Sequence, residues 1–194
     1  AWVNDKSSLL YKRDEAPVIG LPMNLCANES IYILNGSIPN MKSTPLVDEW
    51  FGLLYQNDKF VKVLTMNEVL QKTSLSRERI PNTDCIGEAE LSATSRLLDD
   101  VINQANIYLG QCFEKYQREM SHLLDEEIDK LIELQVKHKE YYQITLFEQE
   151  RKRKEKEREV DVLFEEFTTW VKETLTIQNN PYIKVVAVLM GVSQ

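Results

Sequence analysis

The sequence predicts an α+β fold, predominantly α, in which a long antiparallel helical hairpin, an arm of the coiled-coil kind, stands on a small antiparallel β-sheet base. Three observations predict it. Between Ile31 and Thr65, β-branched and aromatic runs alternate with Gly, Pro, Asn and Asp, the composition of short strands and their turns. From Gly87 to Pro181 the only further glycine is Gly110, no proline intervenes, and apolar residues recur at steps of mostly three and four, the period of a helix. After Pro181, "YIKVVAVLMG" returns to the composition of a buried strand.

Residues 1–30 hold Pro17, Gly20 and Pro22 with few periodic apolar positions, and an irregular segment is expected there. Residues 31–86 are expected to form the small sheet domain with a short helix. Its strands are "IYILNGSIP", "LVDEWFGLLY" and "KFVKVLT". Between the last two, Asn57 and Asp58 tolerate the left-handed dihedrals of a tight turn and so close a hairpin. Gly52 marks a bulge or a close backbone approach. The short helix runs from Met66 to Lys72, with Thr65 as its cap and Glu68 three residues on, until Pro81 stops the pattern.

Residues 87–178 form the expected hairpin arm. Its first helix carries Leu91, Leu98, Val101, Ala105, Leu109, Phe113, Tyr116 and further apolar residues to Ile132. A helix of about 50 residues reaches about 75 Å, too far to bury its stripe on so small a sheet. The expected cover is a second helix with Val160, Leu163, Phe164, Phe167, Trp170, Val171 and Leu175 on one face. The reversal is placed within 138–147, although no Gly or Pro marks it; a straight helix paired with a second chain is the alternative. Residues 179–194 supply a C-terminal strand that rejoins the sheet.

Hydrophobic and charged fractions of 43% and 28% lie in the globular range. The formal net charge of -8 excludes a surface that neutralises phosphates throughout, so any nucleic-acid contact must be local. Cys26, Cys85 and Cys112 fit neither a disulfide framework nor a zinc knuckle, and a reducing cytoplasm is expected. No apolar stretch approaches the roughly 20 residues that span a bilayer, so no membrane is expected as a partner. The first residue is not Met, which suits a fragment of a longer chain as well as a processed start.

No phosphate loop, dinucleotide fingerprint, zinc-protease helix or nucleophile elbow occurs, so neither catalysis nor a metal or cofactor is expected of this chain. "RDEAP" at Arg13 is only superficially like the acidic box of helicases. His122 and Glu126 share a helix face but lack a third ligand, and a solvated pair is expected. Between Glu148 and Glu159, six basic residues (Arg151, Lys152, Arg153, Lys154, Lys156 and Arg158) alternate with five acids. Two readings are open: an exposed helix laced by pairs three and four apart, or a nucleic-acid or partner contact centred on "RKRK". Trp50 and Trp170 sit in apolar patterns and are expected in the core rather than as base-stacking platforms.

Two stretches, "STPLVDEWFGLLYQNDKFVKVLTMNEVL" and "KEREVDVLFEEFTTWVKETLTIQNNPYIKVVAVLMG", resemble the C-terminal region of bacterial Swi/Snf-type superfamily 2 helicases, including the helicase of DISARM phage-defence systems. The resemblance spans residues 31–191. It implies a non-catalytic accessory domain of an ATP-dependent DNA helicase or translocase, with ATP and magnesium bound on motor lobes outside this chain. The helical arm would then contact DNA, the motor lobes or partner proteins of the defence system. No family catalytic residue matches a position here. The competing expectation is a structural adaptor whose long helices form a homodimer.

Overall fold

The computed structural model describes residues 15–21, 25–75, 86–145 and 149–192. Arg13, Pro22, Pro81 and Cys85, which entered the sequence expectations, lie outside them. Strands β1 (Val18–Leu21), β2 (Glu29–Pro39), β3 (Pro45–Gln56) and β4 (Lys59–Thr65) are followed by helices α1 (Met66–Thr73), α2 (Glu88–Arg96), α3 (Leu98–Thr145) and α4 (Glu150–Leu175), then strand β5 (Tyr182–Gly191). The class is α+β.

The strands make one five-stranded sheet in the order β1-β5-β2-β3-β4. β5 runs antiparallel to β2 and parallel to β1, from Val18 opposite Val188 to Leu21 opposite Gly191. Two expectations are corrected here. The sheet is mixed rather than antiparallel, and the segment read as irregular contains β1. A four-residue run, "VIGL", is too short to show a period of two, and its partner is distant in sequence. Gly191 has to be glycine because a Cβ there would stand 1.8 Å from the Cys26 carbonyl oxygen.

The β3–β4 hairpin forms where Asn57 and Asp58 both take positive φ, 52° and 59°, the pair of dihedrals that a two-residue turn of type I′ demands. The register shift lies between Leu54 and Tyr55, not at Gly52. Gly52 serves close approach instead: a Cβ would meet Val69 Cγ2 at 2.6 Å. Thr65 caps α1 as its spacing predicts, its hydroxyl accepting from Glu68 N–H while the Glu68 carboxylate accepts from Thr65 N–H. The Thr65 N–H, joined by its hydroxyl at 2.9 Å from the same oxygen, holds the Glu68 carboxyl below the usual carboxylate range.

The backbone divides into two compact units: residues 1–37, 48–111 and 181–194 in one, residues 38–47 and 112–180 in the other. In the first unit β2 is buried on both faces. On one side Leu21, Ile31, Ile33, Leu54, Leu64 and Leu189 pack with Val69 of α1. On the other, Tyr32 donates to the Thr94 carbonyl at 3.2 Å and Tyr55 to Asp100 Oδ2 at 2.6 Å. Phe51 meets the Tyr108 ring with centroids 4.6 Å apart. Val101, Ala105 and Leu109, one face of α3, are fully buried. Leu109 sits where a Cβ on Gly36 would be, 2.6 Å from its Cδ1.

The expected continuous helix is interrupted once, at Leu97, whose N–H turns back to Thr94 and Ser95. The cause is local: the hydroxyls of Ser92, Thr94 and Ser95 bond carbonyls one turn back, competing with the helical ladder. Beyond it α3 continues for 48 residues, about 72 Å at 1.5 Å per residue. Residues 138–145 of the span expected to reverse are helical, and Leu146 and Phe147 lie outside the described residues.

Leu109→Ala is expected to destabilise the chain by about 3 kcal/mol through loss of buried methyls and the cavity left over Gly36, measured as a lower urea midpoint at unchanged slope. Alkaline pH gives a second check. Burial pushes the Tyr32 hydroxyl up to about 12 from 10.0, and burial and Asp100 raise Tyr55 as well. A raised phenol binds its proton more tightly when folded, so stability is intact below pH 10 and falls as pH climbs toward 12. Tyr32→Phe is expected to flatten that decline in pH-dependent unfolding.

Candidate interaction surface

In the second unit the long helices carry the chemistry. The sequence gives α4 two apolar rows rather than one. Val160 and Phe164 are buried and Val171 and Leu175 half-buried on the same side, whereas Leu163, Phe167 and Trp170 are exposed. The expectation of one buried face is corrected accordingly. At 3.6 residues per turn, 163 and 170 project from an adjacent row beside 160, 164 and 171, and Phe167 lies at the margin between the two.

Contacts to α3 fix the buried row. Gln135 Nε2 donates to Asp161 Oδ1 at 2.7 Å, Lys139 pairs with the same carboxylate, and the His138 ring lies 5.8 Å from that of Phe164. The hydrogen bond from Lys139 holds the Asp161 carboxyl below its ordinary range.

The six basic residues of the charged run are all on α4. Three have acidic partners on the same helix. Lys154 Nζ bonds Glu150 at 2.6 Å, Lys156 Nζ bonds Glu159 at 2.5 Å, and Arg153 Nε lies 3.8 Å from Glu157. The Lys154 hydrogen bond lowers the Glu150 carboxyl, and the Glu159 bond raises the Lys156 ammonium. Arg151, Lys152 and Arg158 are exposed. Arg151, Lys154 and Arg158 line one shallow groove, together with Glu155, Glu159 and Val162. The run therefore divides by helical phase into a row of cations on one face and others directed elsewhere.

Trp170 is 54% exposed, against the expectation of a core position. The Lys42 ammonium stands over its ring at 5.6 Å and pairs with Glu173 at 3.3 Å. Trp50 is half-buried. Sequence reasoning missed the hub that brings Lys42 there. Asn40 Oδ1 accepts the N–H groups of Lys42 and Thr44 at 2.9 Å, and its Nδ2 donates to the Thr174 carbonyl. The available signal was "PNMKST", an asparagine placed to start a side-chain turn; nothing local announces a partner so far along the chain.

His122 Nδ1 lies 3.3 Å from Glu126 Oε1 on an exposed face. Among the described residues no three His, Cys, Asp or Glu side chains converge as a metal site, and no described helix is long and apolar enough to cross a membrane. No protein-family model, curated protein or solved structure matches the chain.

Proposed function

We propose that the chain is a non-catalytic accessory domain whose helices α3 and α4 form an antiparallel hairpin arm that docks a protein partner. The observation that carries this reading is the surface of α4. Three of the six cations of its charged run are paired with acids on the same helix, while Val162, Leu163, Phe167 and Trp170 stand exposed. A mixed-charge surface with aromatic anchors suits protein association, and the intervening carboxylates repel phosphate. The hairpin itself is supported by Gln135 and Asp161, which meet at nearly equal chain distances from the break between α3 and α4.

Following the helicase resemblance, this arm would stand beside a Swi/Snf-type motor, whose lobes would hold ATP and magnesium. The encoding reading frame tests that attribution. A phosphate loop and DExH box upstream in the same frame support it, and a start codon immediately before Ala1 refutes it.

A second reading, DNA contact, is favoured by one feature: Arg151, Lys154 and Arg158 share a groove. Fluorescent duplex and single-stranded DNA titrated with the chain across a salt series separate the two. The docking reading expects no binding tighter than the non-specific range at physiological salt. Tight, salt-steep binding that disappears when Arg151, Lys152, Arg153 and Lys154 are all changed to Glu would replace it with the DNA reading.

A further inference from the structure

One face of α4 is occupied by positions 151, 155, 158, 162, 166, 169 and 173, spaced by steps of four, three, four, four, three and four. That series reads the same from either end. Its charges do not: Arg151 and Arg158 lie before Val162, and Glu166 and Glu173 lie after it. All are exposed except Glu173, which is half-exposed, and the face is turned away from the buried row of Val160 and Phe164. Such a face is complementary to itself when reversed.

Granting the docking role proposed above, we infer that the partner of this face is a second copy of the chain, with α4 packed antiparallel on its equivalent across a twofold axis at Val162. In that register Arg158 faces Glu166 and Arg151 faces Glu173, each contact made twice by symmetry. Val162 meets its own copy at the centre. Lys154 keeps Glu150, and Glu173 keeps Lys42 at 3.3 Å as a second cation beside the incoming Arg151. A parallel pairing would set Arg158 on Arg158 and Glu166 on Glu166, which like-charge repulsion disfavours. DNA fits the face less well, because Glu155, Glu159 and Glu166 stand among its cations.

The test is the mass of the whole chain by sedimentation equilibrium over a concentration series, at low and high salt. A dimer whose dissociation constant rises with salt is expected. Arg158→Glu alone and Glu166→Arg alone are each expected to weaken it at least about tenfold, and the two together to restore it to within about threefold. Both side chains are exposed, and circular dichroism checks that each variant keeps its helices. A monomer at every concentration, or single reversals that leave the dissociation constant unchanged, overturns the inference. The docking reading has its own arm in the DNA titration: a monomer that still ignores DNA loses the self-pairing alone, whereas a monomer that binds DNA through Arg158 loses both.

Discussion

The seating of Leu109 over Gly36 is the contact on which the first unit depends. A helix can approach a sheet closely only where a strand presents no side chain, and Gly36 is that place on β2. Val101, Ala105 and Leu109 follow at steps of four and are fully buried, so a single row of α3 is committed to the sheet. Tyr32 and Tyr55 complete the arrangement, since each phenol reaches a backbone or carboxylate acceptor on the helical side. Burying either without that acceptor would leave an unsatisfied hydroxyl costing on the order of 1–3 kcal/mol.

That commitment has a remainder. Of the 48 residues of α3, Val101, Ala105 and Leu109 are the buried ones, and its later apolar residues need other neighbours. α4 supplies some through Val160 and Phe164. It does not supply all: Leu123, Ile132, Leu134 and Val136 on α3, and Leu163, Phe167 and Trp170 on α4, remain open to solvent. Of the six cations in the charged run, by contrast, three are paired within their own helix.

How much of this was legible follows from the range of the interactions. The Asn57–Asp58 turn and the Thr65–Glu68 cap involve residues at most three apart, and their signatures can be read directly. The helical period of α3 was equally plain, because it repeats many times. β1 was not legible, since four residues carry no period, and parallel pairing with β5 is a fact about the far end of the chain. The exposure of Trp170 was hidden for a different reason: apolar spacing tells that a residue shares a face, not which of two adjacent rows finds a partner. Of the surface on α4, the cations could be named from sequence, but that Arg151, Lys154 and Arg158 alone among them share a groove required the phase of the helix.

The sheet order also bears on how the chain can be made. β1 joins β2 only through β5, which lies between them, so a strand near the start is held by one near the end. During synthesis from the N-terminus, Val18–Leu21 has no neighbour to pair with until Tyr182–Gly191 has left the ribosome. The 160 residues in between are dominated by helices, which form in about a microsecond and need no distant partner. Assembly is therefore expected to proceed with helices first and the centre of the sheet last, leaving the edge of β2 uncovered in the nascent chain until translation has passed β5.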